Sequence, residues 1–346
     1  MLRNVLWGSL LLAPVTIAVD KLTGAGDVAL FVLAAAALVP LAWLIGEATE
    51  HAAEHTGAGI GGFLNATFGN APELIVALFA VGANLPVVVL GSLAGSVVSN
   101  LLLVFGVTQL AGPDEARIDR RSLLVQLGLV GIAVALFTVP AALGYTGSPE
   151  EHAVVAASIP VAVVLLALYG VVVGRNLYRH SRTERHGPSE EAWPLPVALA
   201  ALAVATAATA WVSEILVHSL DAFAKAVGLS QFFISIVIVA IVGNAAEHGG
   251  AILIARRGKM RLATEIAVSS SAQVALLVVP AVTLLSLLFT HHLGLAFRWS
   301  ELVAMAGAAA LVAVAVRDGR STRRDGGLLV TAYVAAVVGF YLVGGR

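Results

Sequence analysis

Eleven apolar runs, each continuous and long enough for a helix to cross a hydrocarbon layer of about 30 Å, restrict this chain more than any other feature. They lie at roughly 4–19, 28–47, 59–82, 85–111, 122–143, 152–174, 194–218, 229–255, 262–290, 299–316 and 327–344, with short polar breaks between them. A membrane barrel would show segments of about ten residues with alternating polarity instead. Composition agrees: 59% of residues are hydrophobic, 12% are charged and the mean hydropathy is +0.94, far too apolar for a soluble domain of 346 residues. The first run, with Arg3 ahead of it, also has the outline of a signal peptide; without a small-x-small cleavage site before Asp20, it reads as a signal-anchor helix.

Charge tests the helix count, because Lys and Arg accumulate on the cytoplasmic side. With eleven spans, the side of the N-terminus holds Arg3; Arg117, Arg120 and Arg121; Arg175, Arg179, Arg182 and Arg185; Arg256, Arg257, Lys259 and Arg261; and Arg317, Arg320, Arg323 and Arg324. That is sixteen of the twenty basic residues; Lys21, Lys225, Arg298 and Arg346 fall on the other face. The expected location is a cell (plasma or inner) membrane of prokaryotic type, crossed many times, with the N-terminus cytoplasmic and the C-terminus outside.

The most polar connection, RNLYRHSRTERHGPSEEAWPLP at 175–196, follows the sixth run and leaves five beyond it. Helices two to six and seven to eleven are then two sets of five, and an odd number per set makes them cross in opposite directions. Residue spacing repeats as well. GNAPE begins at Gly69 and GNAAE at Gly243; Ser96 and Asn100 follow the first by 27 and 31 residues, and Ser269 and Gln273 follow the second by 26 and 30. The expected fold class is an all-α integral membrane protein of about eleven transmembrane helices, a leading helix plus two inverted five-helix repeats. Its parts are the leading helix (1–24), the first repeat (25–174), a cytoplasmic linker (175–192) and the second repeat (193–346). Inverted repeats place a transporter's binding site near the bilayer midplane.

Asn70 and Glu73 are three apart and share one helix face, and Asn244 and Glu247 repeat the arrangement. An ionisable residue at mid-membrane costs about 2.5–3.5 kcal/mol on insertion scales and marks a functional site by default. Pro72 has no amide hydrogen and disturbs the helix beside Glu73, freeing backbone carbonyl oxygen. Carboxylates, amide oxygens and freed carbonyls are ligands for a hard cation, and Ca²⁺ takes about six to eight oxygens. The candidate metal ligands are Glu73, Glu247, Asn70 and Asn244, with Ser96, Asn100, Ser269 and Gln273 as supporting residues or, on the blander reading, interhelical hydrogen-bonding partners. Protons competing with the cation for the same oxygens would give exchange.

NATFGNAPELIVALFA, with ATEHAAEHTG ahead of it, and IVIVAIVGNAAEHGGAI resemble the two signature repeats of the cation/proton exchanger branch of the calcium/cation antiporter superfamily. The resemblance runs from about residue 28 to 290. It implies two inverted five-helix repeats plus a leading helix, and exchange of cytosolic Ca²⁺ for H⁺. It carries the family's central acidic residues onto Glu73 and Glu247, with Asn70 and Asn244 beside them. Sodium/calcium exchangers of the superfamily usually have Ser or Thr at those two Asn positions, which argues against sodium coupling. Family members often have an acidic segment between their halves; here the linker is more basic than acidic.

Glu47 and Glu50, with Glu54, cluster at the cytoplasmic end of the second helix, and Glu214, His218 and Asp221 at the outer end of the seventh. Glu47, Glu50 and Glu214 are candidate vestibule residues that would concentrate cations; solvated helix ends are the alternative. His248 directly follows Glu247 and so points to another face of the helix, outside the ligand set; modulation of the neighbouring carboxylate is the alternative role. HAAEH at 51–55 fits the H-x-x-E-H pattern of a zinc peptidase through His51, Glu54 and His55, a second class of function. Na⁺ or K⁺ in place of Ca²⁺ at the same carboxylates is the alternative within transport.

No cysteine is present, so thiol chemistry and Cys-ligated metals are excluded, and no G-x-x-x-x-G-K-[ST] motif offers a nucleotide site. Transport would be driven by an ion gradient, with no enzymatic step and no cofactor. The partners are Ca²⁺ and protons as substrates and the lipid bilayer; a net charge of −1 offers nothing to nucleic acid. The oligomeric state is left open, a homo-oligomer included.

Overall fold

The computed structural model describes residues 2–144, 152–180 and 192–344. Residues 181–191, most of the expected linker, and Arg346 lie outside the described residues. Among the described residues the secondary structure is helical apart from one two-stranded pair, in two compact units that each draw on both halves of the sequence.

The first unit takes in Met1–Phe79, Ala167–Gly228 and Val242–Ala246. Its leading segment is two helices, α1 (Leu2–Ser9) and α2 (Leu12–Leu22), where the sequence suggested one. Pro14 explains the interruption: its ring crowds the carbonyl of residue 10, four positions back. α3 (Asp27–Phe68) continues for 42 residues through the polar stretch expected to separate the second and third spans. Glu, Ala and His are all compatible with a helix, so polarity at 48–58 does not end it; the chain breaks only at Gly69–Asn70. Beyond the break, α4 (Ala71–Gly82) begins with Pro72 at its second position, where a missing N–H costs nothing.

α9 (Leu195–Val227) packs along α3. Phe31 stacks on Phe223 with ring centroids 4.2 Å apart, Leu44, Ile45 and Ala48 share a core with Leu202 and Ala205, and His51 stacks on Trp193 at 4.5 Å. Residue numbers rise on one helix as they fall on the other, so the two run antiparallel. They open the two expected repeats, and inverted repeats require opposite directions of their first helices.

The second unit comprises Ala80–Leu166, Leu229–Ile241 and Glu247–Arg346. One span runs through α5 (Pro86–Val98), a π-helical segment (Ser99–Val104) and α6 (Phe105–Ala111). Another runs through α13 (Met260–Gln273), a π-helical segment (Val274–Val278) and α14 (Val279–Ser286). Between them in sequence come α10 (Gln231–Phe233), a third π-helical segment (Ile234–Val239), α11 (Ala240–Gly243) and α12 (Ala245–Arg256). α5 meets the third π-helical segment backbone to backbone: a Cβ built on Gly95 would lie 2.0 Å from the Ile236 carbonyl oxygen.

α7 (Arg120–Leu143) shows what surrounds this unit. Leu123, Leu127, Val130 and Phe137 are buried on one side, while Val125, Ile132 and Val139 stay about half exposed on the other. A helix apolar on all faces, with one face uncovered, is built for lipid. α15 (Trp299–Ala315) and α16 (Arg323–Gly344) complete the unit, and a short antiparallel pair, β1 (Ala116–Arg117) with β2 (Arg320–Ser321), ties the start of α7 to that of α16. α8 (His152–His180) contributes its residues up to Leu166 to this unit and those from Ala167 to the first.

Among the described residues, eight helices are long and apolar enough to cross a membrane, or nine if the bent pair Gln231–Gly243 and Ala245–Arg256 is one span; Ala71–Gly82 and Trp299–Ala315 are shorter apolar helices. The chain is an all-α integral membrane protein that crosses the bilayer many times.

Candidate functional site

Both GNAxE motifs form the same local structure. Asn70 lies in the turn before α4, and its carbonyl accepts the first bond of the new helix from the Leu74 amide at 3.1 Å. Asn244 is the one residue between α11 and α12, at a bend of 57°. Glu73 and Glu247 are each the third residue of the helix after the break, in the first turn, where the exposed N–H groups of a helix favour negative charge.

In the first unit, Asn70 and Asn244 are buried, and Glu73 is 6% exposed. A Cβ built on Gly243 would sit 3.5 Å from Glu73 Cγ and 3.9 Å from Oε1, so the backbone of the second motif lies against the carboxyl group of the first. Asn70 and Glu73 of the first motif and Gly243 and Asn244 of the second, 174 residues further along the chain, thus belong to one unit.

In the second unit, Glu247 ends a chain of hydrogen bonds. The Ser270 hydroxyl donates to Glu247 Oε2 at 2.5 Å and accepts from Asn100 Nδ2 at 3.0 Å. Asn100 Oδ1 in turn accepts from His248 Nε2 at 3.0 Å, which requires the tautomer with its proton on Nε2. Asn100, His248 and Ser270 are all buried. Each donor meets an acceptor along His248–Asn100–Ser270–Glu247, so the direction of every bond is set by a carboxylate at one end.

Ser270 is the residue that sequence reasoning missed; His248 was noted, but its partner was not. Ser270 stands 27 residues after Gly243, the spacing of Ser96 from Gly69, whereas Ser269 falls one short; counting the interval would have found it. His248 and Glu247 do leave the helix in different directions, but Asn100 and Ser270 span the gap between them. The Ser269 hydroxyl donates to the Ile266 carbonyl of its own helix at 3.1 Å. Ser96 is buried on α5, Asn100 belongs to the first π-helical segment, and Gln273 is the last residue of α13.

The vestibule candidates differ in exposure. Glu47 is half-buried with Oε1 3.9 Å from His51 Nε2, while Glu50 and Glu214 are exposed. The Glu214 carbonyl accepts from His218 Nδ1 at 2.9 Å, and Asp221 pairs with Lys225. The two histidines of HAAEH hold backbone: His55 Nε2 donates to the Trp193 carbonyl at 2.7 Å, and His51 Nδ1 accepts from the Trp193 amide at 3.4 Å. They clamp the residue that follows the linker, and among the described residues no three His, Cys, Asp or Glu side chains are arranged around one ion.

The chain matches the family described as sodium/calcium exchanger protein twice, over residues 27–178 and 197–342. It is 39% identical over 324 residues to the Ca²⁺/H⁺ antiporter ChaA of Bacillus subtilis (strain 168), covering 91% of this chain and 92% of that protein. It is 33% identical over 361 residues to a Ca²⁺/H⁺ antiporter of Aphanothece halophytica, covering 98% and 96% of the two. Its structure is similar to a crystal structure of the Ca²⁺/H⁺ antiporter protein YfkE, with a TM-score of 0.84 at 34% identity over 98% of this chain and 99% of that one. The duplicated match, the extent of these likenesses and the two GNAxE helices together show that the chain belongs to the sodium/calcium exchanger protein family, in its cation/proton exchanger branch.

Proposed function

We propose that this protein is a secondary antiporter that moves Ca²⁺ out of the cytoplasm in exchange for H⁺, with Glu73 and Glu247 as the carboxylates for which the two ions compete. The observation that carries the reading is the repeated break: a buried Glu73 and a half-buried Glu247, each three residues after an Asn that interrupts its helix. A break supplies amide and carbonyl oxygen next to a carboxylate, the donor set a hard cation needs. A carboxylate away from water is stabilised by either a cation or a proton, so release of one favours uptake of the other. In the second unit, Ser270 keeps the Glu247 carboxylate oriented through either exchange. Ser96, Asn100 and Gln273 support the cation site, with Ser270 in the place expected of Ser269, and Glu47, Glu50 and Glu214 draw cations towards it.

The likeness to relatives named Ca²⁺/H⁺ antiporters supports Ca²⁺ over Na⁺ or K⁺. The antiparallel α3 and α9 support two inverted repeats, 25–174 and 193–346, behind a leading helix at 1–24 and joined by the linker 175–192. The basic residues support a plasma membrane orientation with the N-terminus inside. With an inside-negative potential, each net positive charge entering per cycle contributes about 2.3 kcal/mol per 100 mV to Ca²⁺ extrusion.

Uptake of ⁴⁵Ca²⁺ into proteoliposomes under an imposed pH gradient tests this, with the parent protein beside Glu73→Gln and Glu247→Gln. Glutamine keeps the shape and removes the charge, so proton-driven uptake is expected in the parent and in neither variant. Normal transport by both variants would remove the site from the proposal, and uptake of Na⁺ or K⁺ without Ca²⁺ would replace the substrate.

A further inference from the structure

A second polar feature lies away from the glutamates, within the second unit. α12 ends in a turn at Gly258, whose φ of +78° lets the Gly258 amide bond to the Ala255 carbonyl at 2.8 Å and the Lys259 amide to that of Ile254 at 3.2 Å. The turn carries Lys259 and Arg261 into the start of α13 and leaves a cavity of about 450 Å³ between it and β1. Arg117, Lys259, Arg261, Leu262 and Glu265 line that cavity. Pairing of β1 with β2 holds Arg117 in register with Arg320. Asp119 caps α7 by accepting from the Ser122 amide at 3.1 Å, and it also takes the guanidinium of Arg261.

The charges on this wall do not cancel. Arg261 has two partners, Asp119 and, at 3.8 Å, Glu265. Arg117 and Lys259 are exposed and have no ion pair among the described residues. Two cations therefore face a cavity large enough for a small ligand without a carboxylate of their own.

Position decides what kind of anion would reach them. Two spans begin beside the cavity, at Arg120 and Met260, and the bent pair ends beside it at Arg256. The cavity is thus at the depth where helices leave the hydrocarbon and lipid phosphates lie. Leu262, on the same wall, is 48% exposed at the start of its span, so an apolar surface adjoins the charges. A ligand with a phosphate above and an acyl chain below matches both.

We propose that this cavity binds the headgroup of an anionic phospholipid, with Arg117 and Lys259 on the phosphate and Leu262 against the upper acyl chain. Juxtamembrane cations each strengthen such binding by roughly fivefold. Free inorganic phosphate shares the headgroup chemistry, so the test separates the two.

The full chain is purified in neutral detergent, and retention of added phosphatidylglycerol against phosphatidylcholine is measured by native mass spectrometry. The Arg117→Gln/Lys259→Gln double variant is expected to bind phosphatidylglycerol about 30-fold more weakly, from loss of two such cations. Lys259→Gln alone should lose about fivefold. Arg256→Gln/Arg257→Gln, with the same change of charge outside the cavity lining, is expected to stay within about threefold of the parent. Equal losses in the two double variants would overturn the proposal, because charge alone would then explain binding. Displacement of the bound lipid by millimolar inorganic phosphate would overturn it too, making the cavity a site for free anions. None of these readouts depends on the transport reading.

Discussion

Replacing Gly95 by alanine gives a quantitative test of how α5 packs. The added Cβ would meet the Ile236 carbonyl oxygen at 2.0 Å, its carbon at 2.7 Å and Ala240 Cβ at 2.8 Å. Ordinary contacts are about 3.5 Å, so relief requires a movement of more than 1 Å. The nearest atoms are backbone, so no side-chain rotation relieves the overlap; α5 and the π-helical segment opposite must separate as a whole. Overpacking of this kind costs about 1–3 kcal/mol and sometimes more, and three simultaneous overlaps put this case at the upper end. Two other glycines calibrate the scale. At Gly91 the nearest atom to a new Cβ is the side-chain carbon of Ser235 at 3.3 Å, and at Gly128 nothing lies within 4 Å. Thermal denaturation of the purified protein in detergent, followed by tryptophan fluorescence, should show a midpoint lower by roughly 5 °C for Gly95→Ala. Gly91→Ala should change it by a degree or two, and Gly128→Ala should leave it unchanged or raise it, since alanine is the better helix former by about 0.5–1 kcal/mol. Gly95→Ala as stable as Gly128→Ala would refute the close packing of these helices.

Other consequences are open to direct measurement. Ser270→Ala removes one donor to the Glu247 carboxylate and one acceptor for Asn100; a hydrogen bond to a charged group contributes about 1.5–3 kcal/mol, so ⁴⁵Ca²⁺ uptake should fall by about tenfold or more. Ser269→Ala, which loses only a bond to its own helix, should stay within about twofold, and equal effects of the two substitutions would contradict the placement of Ser270. Gly258→Ala puts a side chain at φ +78°, a cost of about 1–2 kcal/mol, and should lower the denaturation midpoint by a few degrees while leaving uptake per folded molecule intact.

Much of this was legible in the residues because lipid imposes simple rules. Continuous apolar runs gave the fold class, and Pro72 marked a disturbed helix beside Glu73 in advance. The polar stretch at 48–58 misled, because loss of hydrophobicity was read as loss of helix; α3 continues through it, since helix formation depends on backbone and side-chain entropy rather than on polarity. HAAEH misled differently: its spacing suits a metal, yet both histidines hold the backbone of Trp193, 138 residues beyond His55, a partner that local pattern could not reveal. Ser270 was within reach of careful counting. The link from His248 to Asn100 was not, because it depends on how two distant helices meet.

The π-helical segments have a further consequence. A π turn holds one residue more than an α turn, so it forms a reservoir of chain length inside a span. Removing a residue from Val274–Val278 should let that stretch close up as α-helix, with the faces before and after it kept in place. Removing one from α13 would turn everything downstream by about 100° and carry its buried face towards lipid. Deletions a few residues apart should therefore have opposite fates, and the span through Ser99–Val104 should behave the same way.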